Sequence, residues 1–386
     1  MKILGDSQLL LFDELFSGLG ETSTYSGREL SAEQLSDVDV LITRSTLTVD
    51  ENLLAHSKVK FVGTCTIGTD HFDTDFLDRQ GIEWTNAAAC NANAVVQYVL
   101  SAMAQLAPHW LHSTVGIIGC GNIGGRVYSR LKALGVNCRV YDPFLTVKDN
   151  PDLTSLNHVL QSDIITSHAP LTLTGDYPTR HLLDAQALDQ LRSGTVLISA
   201  GRGAVIDNQA LLRKLSIAKN IRVALDVWEG EPDILTELMP FVDIVTPHIA
   251  GHSLEGKENG TAMVYEKLCE FLQVKPPIDV QQAVNTDRAR LEFATSELLN
   301  KGSNESPEAI FNQLLLTAYP IMKDDQQLRQ WHSVDKPVSQ AIAPSIAQHF
   351  DSLRKHYPIR REYTHFIFPD YTRQAPFCHW LAQLID

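Results

Sequence analysis

Three polar residues each follow a β-branched run in the second half of this 386-residue chain: Arg202 in AGRGAVID, Glu231 in DVWEGEP and His248 in PHIAG. An imidazole is suited to taking up a hydroxyl proton near neutral pH while a hydride leaves the same carbon. A carboxylate bonded to that imidazole favours the imidazolium form, so the ring can also donate a proton in the reductive direction. A guanidinium binds a substrate carboxylate or carbonyl oxygen through its planar fork and polarises the reacting carbon. Taken singly, the three have plainer roles as a surface ion pair, a turn residue before Pro232 and a loop histidine. Their shared position at the carboxyl ends of strands, where an open parallel sheet presents its ligands, argues for one centre that interconverts a 2-hydroxy and a 2-oxo acid.

A hydride needs an acceptor, and VGIIGCGNIGGRVYSRLKALG supplies a place for one. Gly119, Gly121 and Gly124 have GxGxxG spacing directly after a strand and at the start of a helix, where Asn122 and Ile123 complete the turn. Such a turn lets the backbone approach a pyrophosphate, and the helix start offers unpaired N–H groups and positive dipole charge. Asp142 ends the next strand about 20 residues on, where a carboxylate accepts from ribose hydroxyls and repels a 2′-phosphate, favouring NAD over NADP. Ala169, Ala200 and Gly201, at later strand ends, complete the expected cofactor contacts.

The elements that must carry these residues alternate strand, turn and helix. Val115–Ile118, Arg139–Tyr141, Ile164–Ser167, Val196–Ser199, Val223–Leu225 and Ile244–Thr246 read as the strands of a doubly wound parallel-sheet (Rossmann) NAD domain over 95–253. Lys2–Leu4, Val40–Ile42 and Lys60–Gly63 read as strands of a second, smaller flavodoxin-like α/β substrate domain over 1–94, with a helix across Gln8–Leu19. A helix over Asn93–Leu106 leads into the NAD domain. A second, over Leu254–Leu272, returns the chain, so the substrate domain is discontinuous and includes 254–282. VKPPIDVQQA (274–283) has linker composition, and 283–386 forms a third, α+β unit with a helix over Glu308–Tyr319 and a strand at His365–Phe368, for which dimerisation is the expected role.

Composition narrows the partners. A formal charge of −14 argues against nucleic acid and against anionic membrane. No apolar run reaches the roughly 18 residues of a membrane span, and the amino terminus reads as strand and helix rather than signal peptide. The six cysteines lack metal-type or paired spacing, which fits reduced thiols in the cytoplasm, no disulfide framework and no metal.

In its segments 119–124, 202–207, 226–232 and 247–251 the chain resembles the D-isomer-specific 2-hydroxyacid dehydrogenase family. The resemblance implies catalytic roles for Arg202, Glu231 and His248, and a place for Asp226 near the nicotinamide. It implies Gly251 as a cofactor contact, Ser45 and Thr66 as substrate contacts, and His252 at a substrate-contacting position where Tyr is expected. It extends through TRS (43–45), FVGTCTIGTDHFD (61–73) and FDSLRKHYPIRREY (350–363), the last in a region that mediates homodimer formation in similar proteins. The implied partner is a small phosphorylated 2-hydroxy acid, with Arg44 and the basic residues Arg354, Lys355, Arg360 and Arg361 as candidates for its phosphate. Another 2-hydroxy acid, of the phosphoglycerate or glyoxylate type, and a non-enzymatic NAD sensor on the same fold remain alternatives.

Overall fold

The computed structural model describes residues 1–28, 30–280, 283, 291–292, 306–333, 344–367 and 378–385. The chain forms two compact units, Met1–Asn91 with Ser253–Ala289 and Ala92–His252 with Arg290–Asp386.

The first unit is built on five parallel strands: β1 (Lys2–Asp6), β2 (Glu21–Tyr25), β3 (Val40–Thr43), β4 (Phe61–Thr64) and β5 (Glu83–Asn86). Their order, β2-β1-β3-β4-β5, is flavodoxin-like. Every residue of β3 and β4 is buried, as expected where helices cover both faces of a parallel sheet. The helix Leu254–Leu272 supplies part of that cover: Val264 fills the space over Gly63, and the Tyr265 ring meets Phe16 edge-on at 5.6 Å. Two expectations change here. The helix foreseen over Gln8–Leu19 is only Phe12–Phe16; it starts late because Leu11 adopts the left-handed φ of 58°, which a right-handed helix cannot include. The strands β2 and β5 escaped the sequence reading because each lies at a sheet edge and shows a mostly uncovered, polar pattern, ETSTY and EWTN, in place of an apolar run.

The second unit holds six parallel strands: β6 (Thr114–Ile118), β7 (Asn137–Tyr141), β8 (Ile164–Ser167), β9 (Val196–Ser199), β10 (Arg222–Leu225) and β11 (Ile244–Val245). In the order β7-β6-β8-β9-β10-β11 the winding reverses between β6 and β8, the switch point at which doubly wound sheets bind ligands. Helix Ala92–Leu106 is buried along nearly its whole length, and with Val115, Ile117, Val140, Ile198 and Ala224 it forms the core on one face of the sheet.

The carboxy-terminal segment completes that core. In the helix Pro307–Ala318, Phe311 is fully buried between Trp110 and Trp380, which contributes about 2–3 kcal/mol of apolar burial. Asn312 beside it uses both ends of its amide, accepting from Trp110 Nε1 (2.8 Å) and donating to the Pro108 carbonyl (2.8 Å). The helix Ile321–Ser333 covers the outer edge of β11, where Asp325 Oδ1 accepts from Val245 N (2.8 Å) and Arg329 donates to the carbonyls of Met239 and Val242 (2.8 and 2.7 Å). An edge strand that would otherwise present unpaired backbone groups is thereby closed. The expected helix at 308–319 is present one residue earlier at each end. The strand expected at His365–Phe368 is Phe366–Ile367, paired in parallel with Leu291–Glu292. Phe368, and Gln281 and Gln282 of the expected linker, lie outside the described residues. Among the described residues no helix is long and apolar enough to cross a membrane.

Replacing Asn312 with Leu leaves the buried Trp110 N–H without its partner and removes a hydrogen bond from the Pro108 carbonyl, a loss of about 1–3 kcal/mol. The urea midpoint followed by tryptophan fluorescence should fall accordingly; an unchanged midpoint would show that this segment does not stabilise the unit.

Candidate active site

Because the six strands of the second unit are parallel, their carboxyl ends lie along one rim. Gly119 follows β6, Asp142 follows β7, Ala169 lies just beyond β8, Ala200 to Arg202 follow β9, Asp226 follows β10 and His248 lies just beyond β11.

At the switch point, the helix Asn122–Ala133 begins at Gly121 with no side chain capping its first amides, so those donors are left for a ligand. A side chain at Gly124 would overlap the Gly119 carbonyl, which explains the glycine there. At Gly121 no atom lies within 4 Å of where a Cβ would stand, which leaves the open approach an anion needs. Asp142 is tied to this turn: Oδ2 accepts from Cys120 N (2.8 Å) and Oδ1 from Phe144 N (3.0 Å). Its remaining lone pairs suit ribose hydroxyls, and its charge disfavours a 2′-phosphate. The open helix start, the uncrowded glycine and the anchored carboxylate fit NAD. Behind the turn stands His168, which the sequence reading passed over. Its Nε2 is paired with Thr166 Oγ1 (2.9 Å), and burial pushes its pKa down to about 4, so it brings no cation to the cofactor site at neutral pH.

Glu231 and His248 meet directly. His248 Nδ1 lies 2.7 Å from Glu231 Oε2, and Glu231 Oε1 accepts from Trp228 N (2.7 Å). Burial opposes ionisation of Glu231, but the charge and hydrogen bond of His248, the Trp228 N–H and the charge of Arg354 together outweigh it and hold the carboxyl below the ordinary carboxylate range. His248 itself has the left-handed φ of 55°, unusual for a residue with a side chain. Its N–H donates to the Asp226 carbonyl (2.7 Å), and the buried Asp226 carboxylate accepts from Thr246 Oγ1 (2.7 Å), Ile249 N (2.8 Å) and Ala250 N (2.9 Å). Since Thr246 spends its one hydroxyl proton on Asp226, the Tyr98 hydroxyl, 2.9 Å away, donates to it.

Arg202 belongs to the neighbouring strand end, where its Nη1 donates to the Gly201 carbonyl (3.0 Å). Its turn is nevertheless pressed against theirs, since any side chain at Gly203 would overlap the backbone of Trp228. His181 joins the same two loops, with its N–H on the Ala204 carbonyl (2.7 Å) and Nε2 on Glu229 Oε1 (2.8 Å).

The residues expected to contact substrate divide between the units. In the first, Arg44 and Ser45 follow β3 and Thr66 follows β4, again at carboxyl ends. Arg44 Nε lies 3.1 Å from the fully buried Asp6 at the end of β1, and Thr66 Oγ1 is 2.8 Å from Thr64 Oγ1. In the second, the His252 ring lies edge-on to Tyr357 at 5.6 Å, and Gly251 sits between it and the Asp226-bound turn. The expected basic phosphate cluster is not one uniform exposed face. Arg360 is only 6% exposed; its guanidinium lies 4.4 Å over the Tyr319 ring and donates to the Ala250 carbonyl.

Comparison with known proteins places the chain in a family. Residues 93–250 match the NAD binding domain of the D-isomer specific 2-hydroxyacid dehydrogenases, and residues 293–377 match a domain of unknown function. The chain is 46% identical to an erythronate-4-phosphate dehydrogenase of Cellvibrio japonicus over 384 residues, covering 100% of this chain and 99% of that one. It is 44% identical to one of Teredinibacter turnerae, covering 95% and 94%. Among solved structures, the D-lactate dehydrogenase of Aquifex aeolicus complexed with NAD and lactic acid superposes with a TM-score of 0.62 at 21% identity, covering 71% of this chain and 96% of that one. An NAD-bound 3-phosphoglycerate dehydrogenase of Entamoeba histolytica gives 0.62 at 22%, covering 72% and 98%. These two show a shared fold, whereas the full-length relatives show kinship: this chain belongs to the NAD-binding D-isomer specific 2-hydroxyacid dehydrogenases, in the family of the erythronate-4-phosphate dehydrogenases.

Proposed function

We propose that the protein oxidises 4-phospho-D-erythronate at its 2-hydroxyl with NAD, a step of pyridoxal phosphate biosynthesis, and that Arg202, Glu231 and His248 carry the reaction. The observation that carries this reading is the 2.7 Å contact between Glu231 and His248 at the carboxyl ends of adjacent strands, on the same rim as an NAD-type turn.

Bound NAD supplies the hydride acceptor. With Nδ1 engaged by Glu231, His248 offers Nε2 to the substrate hydroxyl and takes its proton as the C2–H bond breaks. Glu231, ionised through neutral pH, orients the ring and offsets the charge it gains. Arg202 binds the substrate carboxylate and steadies negative charge on the C2 oxygen. Gly119, Gly121, Asn122, Ile123, Gly124, Asp142, Ala169, Ala200, Gly201, Asp226 and Gly251 form the cofactor surface. Ser45, Thr66 and His252 contact the substrate, and Arg44, braced by Asp6, takes its phosphate. A protein with reduced thiols acting on a soluble metabolite belongs in the cytoplasm, and the carboxy-terminal segment forms a homodimer.

Purified protein given NAD should form NADH with 4-phospho-D-erythronate in preference to 3-phospho-D-glycerate and D-glycerate, with a 2-oxo acid added in parallel to reoxidise tightly held cofactor. Preference for another acid would discard the substrate. His248→Ala and Glu231→Gln should lower kcat by about 10²–10⁴-fold with NAD binding retained, and wild-type turnover in His248→Ala would discard the centre. Asp142→Ala should raise the NADP/NAD ratio of kcat/KM at least tenfold. A ratio that does not change would remove Asp142 from cofactor selection.

A further inference from the structure

The carboxy-terminal segment matches a domain of unknown function, yet it reaches the turn that carries His248. We propose that Arg360 is a positioning residue: it clamps the 248–250 turn through the Ala250 carbonyl while Asp226 holds the Ala250 amide, which makes the carboxy-terminal segment part of the working site of its own subunit. The proposal rests on His248 acting as the proton acceptor and goes beyond it by giving this segment a role in the chemistry as well as in assembly.

The backbone of Ala250 is held on both sides of its Cα. Its N–H donates to Asp226 Oδ2 (2.9 Å), and the carbonyl oxygen of the same residue accepts from Arg360 Nη2. A buried carboxylate and a buried guanidinium therefore act on one residue, two positions from His248. Either charge alone would be costly to bury, and each is offset here by a backbone group of Ala250, the amide toward Asp226 and the carbonyl toward Arg360.

Arg360 is itself built into place. Its guanidinium carbon lies 4.4 Å from the centroid of the Tyr319 ring and 6.0 Å from that of Tyr357, so aromatic faces take the place of hydrogen-bond partners for Nε and Nη1. The hydroxyls of both tyrosines donate to one oxygen of Asp324, each at 2.7 Å, which fixes the rings. Tyr357 in turn carries the edge-on contact to His252. A residue needed only for subunit assembly would have no reason to be sealed 6% exposed against the Ala250 carbonyl. The left-handed φ of His248 adds the need, since a strained residue persists where its surroundings over-determine it.

The test compares the full-length enzyme with Arg360→Met, which keeps volume and loses the donor, and Arg360→Lys, which keeps a donor and the charge. In Arg360→Met, kcat should fall about 10- to 100-fold, with KM for the hydroxy acid and the Kd for NAD within twofold, and Arg360→Lys should recover part of the loss. The His248 ring signal in ¹³C-histidine-labelled protein, assigned by its disappearance in His248→Gln, should shift or broaden in Arg360→Met while those of His109 and His158 stay in place. Wild-type kcat with an unmoved His248 signal would overturn the proposal. So would a loss of activity in which every histidine signal moves and Arg360→Lys recovers nothing, which marks general unfolding. If native protein turns over no 2-hydroxy acid, the functional reading fails, while the histidine signals still decide whether Arg360 holds the turn.

Discussion

The carboxylate of Asp226 sits at the end of β10, 1% exposed, where an uncompensated charge would cost several kcal/mol. Three donors remove that cost: a threonine hydroxyl and two consecutive backbone amides of the 246–250 turn. Satisfying Asp226 therefore dictates the path of the chain beyond β11, including the left-handed conformation of His248 and the direction in which its ring leaves the backbone. The Glu231 contact is available because His248 is set down there. Asp226 thus sets the geometry of the Glu231–His248 pair from beneath the turn.

A short strand carries this turn. With only Ile244 and Val245 in β11, the edge of the sheet would be poorly held by its ladder alone. Asp325 and Arg329 of the carboxy-terminal segment bind its free side and the carbonyls just before it. Tyr98, on the long buried helix, secures Thr246 through its hydroxyl, and Trp228 Nε1 donates to the Thr246 carbonyl (3.0 Å). The precision of the site is thus drawn from three layers at once: the sheet, the helix that opens the unit and the segment that closes it. This is the second-layer support on which preorganised sites depend.

Electrostatics obeys the same division. Around the cofactor turn the design is neutral or negative: His168 is kept uncharged by burial and Asp142 is the anchored acid, so attraction for the phosphates is left to backbone amides. Fixed positive charge is placed instead where a substrate anion is expected, at Arg202 and at Arg44, the latter against a buried aspartate. A chain with a net charge of −14 can in this way favour an anionic ligand locally without a basic surface.

Much of this was legible from residue order alone. Alternation of β-branched runs with helical segments dictates a parallel sheet, and a parallel sheet sets the loops leaving its strands along one rim. The glycine turn, Asp142, Arg202, Glu231 and His248 could therefore be picked out without coordinates. The edge strands β2 and β5 were not legible, because a strand with one uncovered face carries no apolar run, and the first helix is shorter than its periodicity suggests because nothing in the residue type of Leu11 announces a left-handed φ. The burial of Arg360 was not legible either, because only packing reveals that it lies between two tyrosine rings and a carbonyl 110 residues away in sequence. Local sequence determined which groups stand at the rim, since that depends on period and spacing. Which of them touch, and what holds them there, was decided by the tertiary structure, because hydrogen bonds such as Tyr98 to Thr246 and Val245 to Asp325 join segments 148 and 80 residues apart that no local pattern encodes.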